Sequence, residues 1–258
     1  MRRSTLRFAS LGSGSRGNAL LVEAGTTRLL VDCGFTTREV AARLGRLGYG
    51  VEDLSGVLVT HEHADHARGV GSLARRAGIP VWMTPGTHTS LASSASPAVE
   101  LFNCHESFAI NDLCIEPYPV PHDAREPAQF VFGDGARRVG VLTDAGHITR
   151  HIETVLGGCD ALVVECNHDS EMLQSGPYPP RLKARVGGNH GHLSNGQAAE
   201  LLCRIDCSAL QYVVAAHLSE QNNCPRRVRE ALGDALDCAP EWITIADQDV
   251  GTGWCEIQ

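Results

Sequence analysis

No stretch of this sequence approaches the roughly 20 consecutive apolar residues that a membrane-spanning helix requires; even Val57 to Thr60 and Ala161 to Val164 stop within a strand's length. A membrane partner is therefore not expected. An apolar signal core is also missing: the basic start, Met1 to Phe8, runs straight into Gly12, Ser13, Gly14, Ser15 and Arg16, so the chain is expected to stay unexported, in the cytoplasm. There is no Cys-x-x-Cys pair. The ten cysteines (Cys33, Cys104, Cys114, Cys159, Cys166, Cys203, Cys207, Cys224, Cys238, Cys255) are scattered, and they read as small, reduced, apolar residues, not as a zinc finger or disulfide framework. Cys203 and Cys207 would share one helix face but have no further partners to hold a metal.

Positive charge is in deficit. With 22 Lys and Arg against 30 Asp and Glu the net charge is −8, which argues against a protein that coats nucleic acid by bulk electrostatics. Two local basic segments remain, Arg181, Lys183 and Arg185 in one and Arg226, Arg227 and Arg229 in the other, and either suits an ordinary solvated face as well as a binding patch. Linkers, low-complexity tracts and short repeats are absent too. A length of 258 residues with 43% hydrophobic content suits one domain over residues 1–258.

What is present alternates between strand and helix. Short apolar runs at Leu6 to Leu11, Ala19 to Val22, Leu29 to Val31 and Val57 to Thr60 are bounded by Gly, Ser and Asp and predict strands. Thr36 can cap a helix with Val40, Ala41, Leu44 and Leu47 on one face, and a second helix is expected from about Arg68 to Ala77, ending at Gly78 and Pro80. Further strands are expected at Leu113 to Val120, Gln129 to Phe132, Arg138 to Leu142, Ala161 to Val164 and Tyr212 to Ala215. Ser194 and Gln197 form a capping box for a helix that buries Ala198, Leu201, Leu202 and Ile205, Pro225 to Leu236 is a helix, and short strands at Trp242 to Ala246 and Gly253 to Ile257 close the chain. This order best fits an α/β (α+β) fold of four layers, an αββα sandwich.

Chemistry concentrates just after the fourth run. His61-Glu62-His63-Ala64-Asp65-His66 puts imidazoles and carboxylates inside six residues at a strand end. On an extended segment His61 and His63 project together toward one cation, while Asp65 and His66 enter the next turn and can face a second. Left without a cation, so many crowded titratable groups would go uncompensated. One loop does not saturate two cations, and three more candidates follow strands: His122, Asp144 and His217. Each alone suits a structural role, but together they complete a set.

This pattern resembles the metallo-β-lactamase fold over nearly the whole chain. The resemblance implies that His61, His63 and His122 bind one metal, that Asp65, His66 and His217 bind the other, and that Asp144 bridges them, with Asp32 bracing the motif loop. At Asp144 the true β-lactamases carry cysteine, so antibiotic hydrolysis is disfavoured, and the harder carboxylate suits two divalent ions of zinc, manganese or iron. Within the fold, Ser10 to Asn18, Glu165 to Asp169, Gly176 to Pro179, Gly191 to Asn195 and His217 to Asn223 are similar to the bacterial YycJ (WalJ) proteins, with Cys166 as one departure. That branch implies a 5′-to-3′ exonuclease acting on DNA; the chain leaves no room for a β-CASP insertion and shows no RNase Z-like helical arm.

The resemblance suggests a phosphodiester substrate, with Asp65 orienting the nucleophilic water and His192, or secondarily His168, protonating the departing oxygen. The loop holding Ser13, Gly14, Ser15 and Asn18 is expected to cradle a 5′-phosphate through backbone N–H groups and hydroxyls, and Arg181, Lys183 and Arg185 to hold the strand's backbone. Two other readings remain: a hydrolase of a small cyclic nucleotide, lactone or thioester on the same metals, and a non-catalytic metalloprotein in which the site only stabilises the fold. Oligomeric state is not legible.

Overall fold

The computed structural model describes residues 5–91 and 98–258; Met1 to Ser4, part of the basic start, lie outside them. β1 (Arg7–Gly12), β2 (Ala19–Ala24) and β3 (Thr27–Val31) form an antiparallel meander. The tight β2–β3 turn is possible because Gly25 takes a left-handed φ of 57°. From β3 the sheet continues in parallel through β4 (Gly56–Leu58), β5 (Val81–Met83) and β6 (Val99–Leu101). Parallel neighbours need crossovers. These contain α1 (Thr37–Arg46), then α2 (Ala64–Ala67) with α3 (Val70–Ala77), then α4 (Pro85–Leu91).

The second sheet repeats the plan. β7 (Phe108–Ile110), β8 (Leu113–Pro119), β9 (Ala128–Gly133) and β10 (Arg138–Leu142) are antiparallel; β11 (Ala161–Glu165), β12 (Tyr212–Ala216) and β13 (Thr244–Ile245) extend β10 in parallel. Between them run α5 (Arg150–Leu156), α6 (Ser170–Ser175), α7 (Pro180–Val186), α8 (Asn195–Arg204) and α9 (Pro225–Leu236). β14 (Cys255–Glu256) returns to pair with β1.

Successive strand residues face opposite ways, and here both faces are covered. Val22, Leu29 and Val31 meet Phe130, Phe132, Val141 and Val163 between the sheets. Their neighbours Leu21 and Leu30 pack under Val40, Leu44 and Leu73, while Val131, Leu162 and Val164 pack under Ile152, Leu201, Leu202 and Val228. The result is the helix–sheet–sheet–helix sandwich that the element order anticipates. Burying one such side chain fully is worth about 1.5–3 kcal/mol, so the inter-sheet layer is the main anchor for strand position.

Local expectations needed several adjustments. The helix expected from about Arg68 to Ala77 begins at Val70, and a separate turn, α2, not expected from the sequence, precedes it and holds Asp65 and His66. Ala41, expected on the buried face of α1, is exposed, because Val40 and Leu44 alone meet the sheet. The closing strands shrink to two residues each, with Pro240–Trp242 forming a 3-10 turn ahead of β13.

Candidate metal centre

Strands β3, β4, β10, β11 and β12 run in one direction within their sheets, and the motif residues sit just beyond their C-terminal ends. Three of them are held in the left-handed backbone region: Asp32 at φ 62°, Asp144 at 55° and His217 at 57°. Non-glycine residues there are uncommon and turn the side chain sharply off the strand axis. Gly34 lets the motif turn approach β3, because a Cβ there would fall on the Asp65 carbonyl. That approach is fixed by Asn18 N donating to Asp65 O (2.8 Å) and Cys33 N to His66 O (2.7 Å).

The hydrogen bonds dictate where lone pairs point. Thr60 Oγ1 donates to Asp32 Oδ2 (2.8 Å), so it must accept from His61 Nδ1 (2.9 Å), which leaves His61 Nε2 a bare lone pair with no partner. His122 Nδ1 donates to Gly191 O (3.0 Å), so its Nε2 is bare as well, and it faces His63 Nδ1 at 3.2 Å. His66 Nδ1 lies 2.7 Å from Asp32 Oδ2, turning its Nε2 toward Asp144 Oδ2 (3.1 Å) and Asp65 Oδ2 (3.4 Å). His217 Nδ1 meets Glu165 Oε1 (3.1 Å), and its Nε2 faces the same Asp65 oxygen (3.4 Å). Asp144 Oδ2 is buried without a hydrogen-bond partner.

Three bare atoms, on His61, His122 and Asp144, and the facing Nε2 atoms of His66 and His217, all buried, suit cations. The donor atoms fall into sets within 4.8 Å of one another: His61, His63 and His122; Asp65, His66 and His217; and Asp144 grouped with His61 and His66 on one side and with His217 on the other. The structure thus brings together all seven residues singled out from the sequence. A fourth grouping adds Glu165 and His192 to Asp144 and His217. Glu165 is already committed, however, accepting from the N–H groups of Ala145 (3.1 Å) and Leu193 (3.0 Å) and from His192 and His217.

The charges are tightly interlocked. Burial opposes ionisation of Asp144, yet the facing His217 and His66 hold its carboxyl well below the usual carboxylate range. Burial would lower His217, but Asp144, Asp65 and Glu165 push it up to about 10. Glu165, despite complete burial, is held at about 2 by His192 and His217. His61, by contrast, is driven well below its ordinary value by burial and by the neighbouring His66. On His66 and His217, both pushed above the ordinary imidazole value, a proton stands where a divalent ion would bind, so metal binding there must displace it, whereas His61 and His122 already offer lone pairs.

The other expected residues divide. His192 lines the cavity over the cluster, with Nδ1 on Glu165 Oε1 (2.9 Å). His168 does not line it; its ring is buried, Nδ1 has no partner, and its backbone bridges Ser194. The loop expected to cradle phosphate spends its donors internally: Ser13 N on Asp247 O, Gly14 N and Ser13 Oγ on Asn18 Oδ1, Arg16 N on Gln248 Oε1 and Gly17 N on Gly14 O. Ser13 Oγ also accepts from His217 N (2.8 Å), and Asn18 Nδ2 sits 3.1 Å from His66 Nε2, so these residues brace the centre, and only Ser15 of this loop lines the cavity.

On α7, Arg185 pairs with Asp123 (2.7 Å) and reaches the cavity, Lys183 turns back to Gln174 O (2.5 Å), and Arg181 lies outside it. Lys183 is separated from the two arginines because a helix sends residues two apart to different sides; Arg181 and Arg185, four apart, share a face, but only Arg185 reaches the cavity. Two further lining residues, Asn167 and the half-buried Tyr178, were not anticipated as site residues, nor was Glu165. For Glu165 a signal existed: a carboxylate ending β11 stands in the same context as Asp144 after β10.

Residues 27–217 match the family model described as a β-lactamase superfamily domain. The chain is 33% identical over 236 residues to exodeoxyribonuclease YycJ of Bacillus anthracis, covering 90% of this chain and 89% of that protein. It is 33% identical over 223 residues to exodeoxyribonuclease WalJ of Streptococcus pneumoniae, covering 84% and 83%. Among solved structures it is similar to the metallo-β-lactamase fold protein YhfI from Bacillus subtilis (TM-score 0.77, 17% identity, 98% and 99% covered). It is also similar to Zn2+-bound PqqB from Methylobacterium extorquens (TM-score 0.73, 16% identity, 96% and 99% covered). At such identities the likeness speaks for the fold.

Proposed function

This chain belongs to the β-lactamase superfamily and, within it, to the family of the YycJ and WalJ proteins; on that premise we propose that it is a binuclear-metal phosphodiesterase working as a 5′-to-3′ exodeoxyribonuclease on DNA with 5′-phosphate ends. The observation that carries the reading is the clustering of donor atoms from His61, His63, His122, Asp65, His66, His217 and Asp144 in overlapping groups, each within 4.8 Å, beside a cavity that His63, Asp65, Asp144 and His217 line. Full-length similarity to proteins named exodeoxyribonucleases supports the choice of substrate.

In this reading His61, His63 and His122 would hold one ion and Asp65, His66 and His217 the other, with Asp144 available to both. Two such ions of zinc or manganese, or of iron, supply a more acidic water and offset charge developing on a phosphoryl group. The protein's own residues do the rest. Asp65 orients the attacking water. His192, fixed through Nδ1 by Glu165, presents its opposite face to the cavity and protonates the departing oxygen. Arg185 and Ser15 line the same cavity and contact the strand's backbone. His168, buried off the cavity, has no part in proton transfer.

The test is a product ladder. Single strands labelled at either end, with 5′-phosphate or 5′-hydroxyl termini, are incubated with zinc- or manganese-loaded protein; mononucleotides should leave the phosphorylated end first. Digestion should vanish in Asp144→Ala and His63→Ala while both proteins remain folded by circular dichroism. Retained cleavage by Asp144→Ala overturns the assignment. Turnover of a cyclic nucleotide, lactone or thioester without strand digestion would establish the small-substrate reading instead.

A further inference from the structure

Apart from Ser15, the Gly/Ser loop spends its donors on Gly14, Asn18, Asp247 and Gln248, so a phosphate group of the strand needs donors from beyond this loop. A second cavity of about 510 Å³ adjoins the one over the metal cluster and shares Ser15, Ala64 and Asp65 with it. Its distinctive lining is arginine: Arg16, Arg43 and Arg68, with Phe35. In a chain of net charge −8 such a grouping is unexpected.

How these arginines are held decides what they are for. Arg16 is neutralised by Glu220 (2.7 Å) and Asp249 (3.0 Å). Arg43 and Arg68 are bound only to backbone carbonyls: Arg43 to Leu11 O (2.6 Å) and Gln248 O (3.1 Å), Arg68 to Arg16 O (2.8 Å). Arg46 behind them is likewise held by Asp249 O (3.2 Å). Among the described residues none of these three pairs with a carboxylate. Carbonyl bonds aim a guanidinium without cancelling its charge, and each leaves further N–H groups for another acceptor. The Arg43 guanidinium is also stacked on the Phe35 ring, 3.9 Å from its centroid, and rests where a side chain at Gly12 would collide with it. Burial and the neighbouring Arg46 lower the proton affinity of Arg43, and the nearby Glu39 and Asp249 offset this only in part.

The carboxylates that line the cavity are committed. Glu39 accepts from Thr36 N (2.8 Å) and Thr36 Oγ1 (2.7 Å) in the capping box of α1, Asp249 pairs with Arg16, and Asp65 faces His66 and His217. We propose that Arg43 and Arg68, with Ser15 at the boundary between the two cavities, form a binding site for a phosphate group of the substrate strand beside the reaction centre. This rests on the nuclease reading above and supplies the end recognition that the Gly/Ser loop lacks. Guanidinium forks suit phosphate oxygens, whether of a 5′-terminal phosphomonoester or of an internal phosphodiester.

The experiment compares Arg68→Gln, Arg43→Gln and the charge control Arg226→Gln, on exposed α9 outside both cavities, with the unaltered metal-loaded protein. Arg68 has a single backbone bond, so its variant keeps the test alive should Arg43→Gln unfold; melting temperature and bound metal are measured for each. Affinity is read by fluorescence anisotropy on phosphorothioate strands with 5′-phosphate or 5′-hydroxyl ends, over a salt series, and turnover on ordinary strands. Each cavity variant should bind the phosphorylated strand about tenfold more weakly, with the slope of log affinity against log salt smaller by about 0.7. Weakening confined to the 5′-phosphate strand identifies the terminal monoester; equal weakening of both identifies an internal diester. Unchanged affinity and end preference in both variants, with strands still digested, overturns this site and leaves the nuclease reading standing. A parent protein that turns over a small diester but neither binds nor digests strands overturns the nuclease reading, and this site with it.

Discussion

Glu165 shows how much of the centre is decided one residue behind the ligands. Its carboxylate takes two backbone N–H bonds and faces both His192 and His217, so it orients one imidazole over the cavity and one within the cluster. Outer partners of this kind typically matter by 10–100-fold. Glu165→Gln, which keeps the shape and removes the charge, is expected to lower metal affinity or turnover by about 10–100-fold, measured against a chromogenic chelator and on the strand ladder. Wild-type values for both would show that neutral hydrogen bonding suffices. At this scale Asp32 was expected as a brace through the resemblance to the metallo-β-lactamase fold, and the structure has it accepting from Thr60 N and Thr60 Oγ1. Glu165 was not singled out, since a buried glutamate's partners come from β10, the 191–194 loop and β12, which no local pattern joins.

Elements differ in how plainly they announce themselves. α8 was legible from Ser194 and Gln197, and the structure has both bonds of that box, Ser194 Oγ accepting from Gln197 N (3.2 Å) and Gln197 Oε1 accepting from Ser194 N (2.9 Å). Ser194→Ala should cost about 1 kcal/mol and lower the melting temperature by about 2–4 °C in a chain of this size, read by calorimetry. No shift would mean that packing of Leu201 and Leu202 alone holds the helix. The short α4 to α7 and β5 to β7 escaped notice: each has seven residues or fewer, too few for an amphipathic period to repeat. α7 matters most among them, because Arg181, Lys183 and Arg185 form one basic segment in the sequence, whereas the helical turn sends Lys183 away from the two arginines.

For the whole molecule, the sandwich sets two sheets so that strand ends from both meet along one edge. The proposed ligands come from both sheets, so a bound ion would tie the halves together, and anything that binds only the folded state stabilises it. Loading with zinc or manganese to about 1,000 times the dissociation constant should add about 4 kcal/mol over the chelated protein. The measurement is a thermal or denaturant melt with and without chelator, with activity lost on chelation and restored on reloading. Equal melts would place the ions outside the shared edge.

Sequence alone determined the ligand types, the cluster at 61–66 and the strand-and-helix alternation that leads to an αββα sandwich, because these depend on residue identity and on spacing along a few consecutive positions. Tertiary structure alone decided which atoms of those side chains stay bare, that Ser13 and Asn18 of the Gly/Ser loop brace the centre, and that Arg43 and Arg68 stand beside it bonded to backbone carbonyls. Those outcomes depend on what residues far apart in the chain do to one another's hydrogen bonds and charges, and no local pattern carries that information.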